Sequence, residues 1–299
     1  MNKTEIKGII IVNPFGVPSG NLWQAERLKE EFFKLGVSVQ IIRGGWKNSM
    51  LKDGCIKNEF EQFDFAVFLD KDKYLAASLF ACGVKMFNNH TGIRLADDKG
   101  DTYFALANRG LNLPDTIFAP LCYRSGCSID ISDAEFVADK LSLPVIVKES
   151  YGSLGLGVHK ADTVLQLWEL MNQLKTKPHL YQRYLGAKKG TDIRIIVIGG
   201  KYFAAMKRIN ECDFRSNIAC GGRGESFEPS SEFIAAAEKA AKILNLDYCG
   251  VDLLFGDDDS PYICEVNSNA FIKGIEDATG KNVAKAYAEY ILNKIGKKS

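Results

Sequence analysis

Along the first ninety residues, short apolar runs alternate with stretches whose apolar residues recur every three or four positions. "IKGIIIVNP" (6–14) predicts a strand. "NLWQAERLKEEFFKLG" (21–36) predicts a helix with Leu22, Leu28, Phe32 and Leu35 at helical spacing and Gly36 to stop it. "VSVQIIR" (37–43), "FDFAVFLD" (63–70) and "VKMFN" (84–88) predict further strands, with a helix over 72–82. Strands alternating with helices predict a parallel, doubly wound sheet over roughly residues 1–90.

Downstream the order changes. Helices are predicted over 97–110, 132–142, 161–174 and 231–244, with a closing one over 282–295. "LPVIVKES" (143–150) reads as a short buried strand, "YQRYL" (181–185) follows, and strands are predicted at 192–198, 201–209, 248–255 and 261–267. The last two flank the acidic turn "GDDDS", hence a hairpin.

Composition narrows the function classes. The chain is 46% hydrophobic and 25% charged with a net charge of +1, so no global charge calls for nucleic acid or an anionic membrane. Its 299 residues allow two or three domains. No apolar run approaches the roughly 20 residues of a spanning helix. Ile9–Val12 is too short for a signal peptide, which makes a cytoplasmic location the expectation. The eight cysteines contain no CxxC pair and, with three scattered histidines, no zinc spacing. Reduced, mostly buried thiols are expected. The first turn, "NPFGVPSGN", lacks GxGxxG, so no dinucleotide fingerprint is present.

Three local patterns carry chemistry. In "VIVKESYGSLGLGV" (145–158), Gly152, Gly155 and Gly157 let backbone N–H groups approach an anion, Ser153 adds a hydroxyl, and Lys148 stands just before them. Alone, Lys148 would simply reach for solvent; with the glycines the segment reads as a phosphate loop, though not a GxxxxGK[ST] P-loop. In the hairpin, a turn centred on Asp258 and Asp259 puts Asp252 across from Glu265. Asp252, Glu265 and Asn267 then share one sheet face as an all-oxygen cluster of the kind that suits Mg²⁺. The alternative for the two carboxylates is pairing with Lys or Arg. Finally, Arg194, Lys207, Arg208 and Arg215 lie on or beside strands in 191–225, followed by Ser216-Asn217. Near a metal and a phosphate loop they read as a clamp on transferring phosphoryl charge.

These motifs, in order with Lys99 of "DDK", "GTDIR", "DFRSN", "GVDLL" and "EVNSN", resemble those of the ATP-grasp carboxylate–amine ligases, most closely the RimK-type α-L-glutamate ligases. The similarity covers roughly 90–299. It implies an α/β fold, α+β in its C-terminal part: an ATP-grasp preceded by a doubly wound domain. The divisions expected are 1–95, a lid subdomain over 96–182 with the Gly-rich loop, and a C-terminal subdomain over 183–299 with the metal site.

The resemblance also implies roles. Lys99 and Lys148 would contact nucleotide phosphates; Gln182, Arg183, Tyr184 and Leu185 would form the adenine-side hinge; Asp192 would lie near the ribose. Arg215, Ser216 and Asn217 would meet nucleotide and reacting groups, with Arg194 and Arg208 beside them and Lys207 on the nucleotide. Asp252, Glu265 and Asn267 would hold one or two ions of Mg²⁺, or of Mn²⁺ in its place. The implied reaction joins an amino-acid donor to a carboxylate acceptor (peptide, protein or metabolite) through an acyl phosphate, without nucleic acid or membrane, and leaves an oligomer open. A kinase on the same scaffold and an ATP-binding regulator are the rival readings. The chain departs from the family where its hinge Glu is Arg183, where an arginine is replaced by Cys220 with Arg223 as a substitute, and over Asn269–Lys273. No general base for the amine is nominated.

Overall fold

A strand of consecutive aliphatic residues is buried on both faces only when helices cover both sides of its sheet. Ile9, Ile10, Ile11 and Val12, in β1 (Lys7–Val12), are all buried. The computed structural model describes residues 6–15, 20–45, 48–57, 59–218 and 221–296. α1 (Asn21–Lys34) leads to β2 (Ser38–Arg43), then to a small exposed hairpin of β3 (Met50–Lys52) and β4 (Cys55–Lys57). β5 (Phe65–Leu69), α2 (Lys73–Ala81) and β6 (Met86–Phe87) complete a sheet ordered β2-β1-β5-β6, its strands parallel. Ile9 and Ile11 pack with Leu75 and Leu79 of α2 on one face, Ile10 and Val12 with Leu28 and Phe32 of α1 on the other.

The helix expected over 97–110 is α4 (Lys99–Leu106), and it is preceded by α3 (His90–Asp97), which was not expected. Each has its own cap, Asn89 accepting from Gly92 N–H and Asp98 from Gly100 and Asp101 N–H, so the chain restarts at Asp98. β7 (Thr116–Phe118), α5 (Ile131–Leu141), β8 (Val145–Glu149), β9 (Val158–Ala161), α6 (Val164–Leu174) and β10 (His179–Arg183) follow. They form an antiparallel sheet, β7-β10-β8-β9, backed by both helices. Val145 and Val147 face those helices, so by strand alternation Ile146 and Lys148 face the opposite way.

The third sheet, β13-β12-β11-β14-β15, is antiparallel. Its strands are β11 (Thr191–Ile198), β12 (Lys201–Ile209), β13 (Arg223–Ser226), β14 (Tyr248–Phe255) and β15 (Pro261–Asn267); α7 (Ser231–Ile243), α8 (Lys273–Thr279) and α9 (Val283–Lys294) pack around them. One face, with Ile193, Ile195, Val251 and Leu253, buries α7. The other, with Ile196, Ile198, Ala204 and Met206, shares a single core with α9, α1 and the first sheet. Beyond that core the same face becomes polar, at Asp192, Arg194, Arg208 and Asp252.

Seven described cysteines are free, yet only Cys249 is buried, so the expectation of mostly buried thiols fails; Cys220 lies outside the described residues. Among the described residues no helix is long and apolar enough to cross a membrane.

Two buried amides pin the first sheet to the third. Asn88, at the end of β6, donates to the carbonyls of Tyr248 (2.7 Å) and Ser268 (2.9 Å) and accepts from Asp247 and Tyr248 N–H. Gln24 of α1 donates to Asn269 and accepts from Ile272 N–H. Asn88→Ala strips partners from buried backbone groups and is expected to cost about 3 kcal/mol. A denaturant midpoint equal to wild type would contradict this pin.

Candidate functional site

Between the second and third sheets lies a cleft with about 910 Å³ of empty space, its solvent-open part included. Strand alternation supplies its walls. Ile146 and Lys148 come from the lid sheet, Asp252 and Leu254 from β14, Asp192 and Arg208 from β11 and β12. Six basic side chains line the cleft (Lys99, Lys148, Arg183, Lys188, Arg208, Arg215) against three acidic ones (Asp192, Asp252, Glu265). That surplus of three positive charges suits a polyanion.

The floor is a buried charge network. Arg194 grips Asp252 with two hydrogen bonds of 2.7 Å, Nε to Oδ1 and Nη2 to Oδ2. Arg208 grips Asp192 in the same way, Nε to Oδ1 at 2.7 Å and Nη2 to Oδ2, and its Nη2 also reaches Asp252 Oδ2 at 2.9 Å. Residue exposures are 2% for Asp252, 3% for Arg208 and 4% for Asp192. Burial alone would raise the Asp252 pKa, but Arg194 and Arg208 outweigh it and hold the carboxyl below the usual carboxylate range. The Arg208 pKa is raised: burial opposes its charge, and Asp192 and Asp252 more than compensate.

Above the floor stand two buried lysines. Lys99 Nζ lies 3.7 Å from Glu265 Oε1 and donates to Gly152 O at 3.3 Å. Burial lowers its pKa, with Glu265 opposing. Lys148 Nζ lies 3.7 Å from Cys264 Sγ. Two side chains tether the Gly-rich loop 150–157, Lys99 at Gly152 and Arg215 at Gly155, whose carbonyl accepts from Nη1 at 3.1 Å. Gly152 has φ +148° and Gly157 φ +72°, and a Cβ on either would meet neighbours at 3.1 Å, Leu156 O and Glu149 respectively. Arg215 itself is held by Asp213 at 2.7 Å.

Asp252 does pair with Glu265 across the hairpin. The pairing depends on a bulge. Phe255 opposes Pro261, which centres the turn on Asp258 rather than between Asp258 and Asp259; the extra residue, Cys264, then restores the offset at Asp252. Asn267 Nδ2 donates to Asp252 Oδ2 at 3.4 Å. The counter-charge that the sequence assigns to a metal is supplied at Asp252 by Arg194 and Arg208. Glu265, partly exposed, and the Asn267 amide oxygen are the hard donors that fit Mg²⁺. Among the described residues no three His, Cys, Asp or Glu side chains cluster as metal ligands.

Of the other expected residues, Ser153, Gln182, Tyr184, Leu185, Ser216 and Asn217 line the cleft. Arg194 and Lys207 do not. Arg194 is spent on Asp252, so it positions that carboxylate instead of facing phosphate. Lys207 pairs with Ile193 on the α7 face and meets Glu225 at 3.5 Å, so a place on the nucleotide is corrected by strand alternation. Arg183 sits 3.4 Å from Asp115. Arg223 pairs with Glu211 on the surface. Sequence reasoning missed the apolar walls Ile146, Val158 and Leu254, although Ile146 and Leu254 lie two residues from Lys148 and Asp252 and share their faces. Lys188 gave no signal.

Comparison with known proteins gives the chain its family. Residues 96–291 match the RimK-like ATP-grasp domain. A probable alpha-L-glutamate ligase of Halorhodospira halophila is 38% identical over 216 residues, covering 70% of this chain and 67% of that protein. Human N-acetylaspartylglutamate synthase A is 29% identical over 226 residues, covering 75% of this chain and 56% of that one. Among solved structures, D-alanine–D-alanine ligase from Bacillus anthracis complexed with ATP superposes with TM-score 0.72 at 19% identity, covering 97% of each chain. The ATP-grasp ligase PsnB complexed with minimal precursor, Mg and ADP gives 0.69 at 15%, covering 96% of this chain and 97% of that one. The chain belongs to the RimK-like ATP-grasp family. It is an ATP-dependent ligase that forms C–N bonds.

Arg208→Met leaves Asp192 without its partner and removes one of two from Asp252, an expected loss of about 3–5 kcal/mol. Because the Asp252 pKa is depressed, its share is present above the ordinary carboxylate range and disappears as pH falls through the folded value. The gap between wild type and variant should therefore narrow in acid. Lys207→Ala, one residue away, should change nucleotide affinity less than twofold by titration calorimetry; a larger loss would return Lys207 to the site.

Proposed function

We propose that the enzyme is a carboxylate–amine ligase that activates its carboxylate substrate as an acyl phosphate. The carrying observation is the meeting of Lys99, Lys148 and Arg215 with Glu265 around one cleft. A substrate carboxylate attacks the γ-phosphorus of ATP, giving an acyl phosphate and ADP; an amine then displaces phosphate and leaves an amide. Lys99 and Lys148 neutralise phosphate charge in a water-poor site, where each is worth more than in solvent. Arg208 stands over the phosphoryl end from the floor, and Arg215 closes the Gly-rich loop over it, excluding water from the acyl phosphate. Glu265 and Asn267, with the arginine-clamped Asp252 beside them, are the residues that would hold Mg²⁺, which supplies Lewis-acid neutralisation of phosphate charge. Ile146, Val158 and Leu254 offer apolar surface to a base, and the Gln182–Leu185 strand end offers backbone groups to its edge. Glutamate is the first amine to test, in keeping with the glutamate-ligase relatives, and the acceptor is a peptide, a protein or a small carboxylate.

Given Mg·ATP, the right carboxylate and hydroxylamine, the enzyme should release ADP, phosphate and a hydroxamate in equal amounts. A phosphorylated alcohol without free phosphate would refute this reading.

A further inference from the structure

Among the described residues, buried Glu31, Lys99, Asp192, Arg208 and Asp252 each have an ion-pair partner, whereas Lys148, which faces the cleft, and Asp70 have none. Asp70 directly follows β5, is 7% exposed, and accepts from Asn13 Nδ2 (3.0 and 3.2 Å), Lys71 N–H (2.7 Å) and Asp72 N–H. The Lys71 ammonium is turned away to Asp97 at 3.1 Å. Among the described residues no Lys, Arg or His forms an ion pair with Asp70. A buried carboxylate without a counter-cation is costly, and burial accordingly raises its pKa, with Asn13 opposing.

Its place in the fold is telling. The chain leaves β1 for β2 on one side and returns to β5 on the other, so the crevice between β1 and β5 is where the strand order reverses. Open α/β sheets bind ligands there, at the carboxyl ends of the strands. Asn13 ends β1 and Asp70 ends β5, and their side chains join across the crevice. At the same end of the sheet, Asn88 holds Ser268 and Gln24 holds Asn269, the two residues that follow Asn267. The carboxyl end of the first sheet thus touches, through Asn88 and Gln24, the segment running from the proposed metal ligands.

We propose that Asp70, oriented by Asn13, binds the ammonium group of the amine substrate. The proposal rests on the ligase reading above. A primary amine is cationic near neutral pH, and one carboxylate with a neutral amide beside it matches an ammonium better than a metal, which needs more oxygen donors. Asn13 Oδ1 is engaged by Phe15 N–H, which fixes its amide so that the donor side faces Asp70.

The test is calorimetric binding to the full chain with Mg²⁺ and a non-hydrolysable ATP analogue present. The probes are L-glutamate first, then the other common L-amino acids, each against its 2-hydroxy-acid counterpart. Wild type should bind at least one amino acid tenfold or more tightly than its hydroxy counterpart. Asp70→Asn should lose that preference and at least tenfold in amino-acid affinity, while the nucleotide analogue binds within twofold of wild type. The unchanged nucleotide affinity shows that the variant is folded and keeps a folding defect from mimicking the result. No amino acid preferred over its hydroxy counterpart by wild type, or an unchanged preference in Asp70→Asn, overturns the subsite. The ligase reading fails separately, if the wild-type enzyme forms no hydroxamate in the trapping assay.

Discussion

Two arginines and two aspartates, all but Arg194 buried, lie together on β11, β12 and β14 and set the terms for the rest of the site. None can be buried alone, and together they are neutral. Their bonds run along the sheet, from Asp192 through Arg208 and Asp252 to Arg194, so the floor of the cleft is fixed in position before any ligand arrives. Because the network consumes its own charge, the surplus positive charge lies on the walls, at Lys99 and Lys148. A divalent cation entering beside Glu265 and Asn267 then meets a carboxylate pair of which one member is already clamped.

The same sheet face that carries this network also holds the first sheet in place. Ile196, Ile198, Ala204 and Met206 pack with α9, α1 and the β1 face in one apolar core, and the polar residues begin where that core ends. The segment Asn269–Lys273 has a structural use. Ala270 packs against Gly250, Ile272 is fully buried and donates to Gln24, and Asn269 accepts from it.

Much of this was legible in the chain. The aliphatic run of β1, the glycine stop after α1 and the apolar hairpin strands mark elements whose burial follows from local pattern. The Asp252–Glu265 pairing was reached by counting outward from a turn, and it holds only because the Cys264 bulge offsets a turn centred one half-step earlier. Counting cannot see a bulge. Arg194 and Arg208 were recognised as basic strand residues, but their capture by Asp252 and Asp192 depends on β11 lying between β12 and β14, a long-range pairing with no local signature. Lys207 is different. It neighbours Arg208 on one strand, so alternation alone forbids both from facing the same cleft.

In the proposed reaction a substrate carboxylate, not a hydroxyl, receives the γ-phosphoryl group. Labelling that carboxylate with ¹⁸O tests it most directly. If an acyl phosphate forms and an amine displaces it, one labelled oxygen must leave with the phosphate, and mass spectrometry of the released phosphate should show one ¹⁸O for each amide made. Amide formed with unlabelled phosphate would contradict the account.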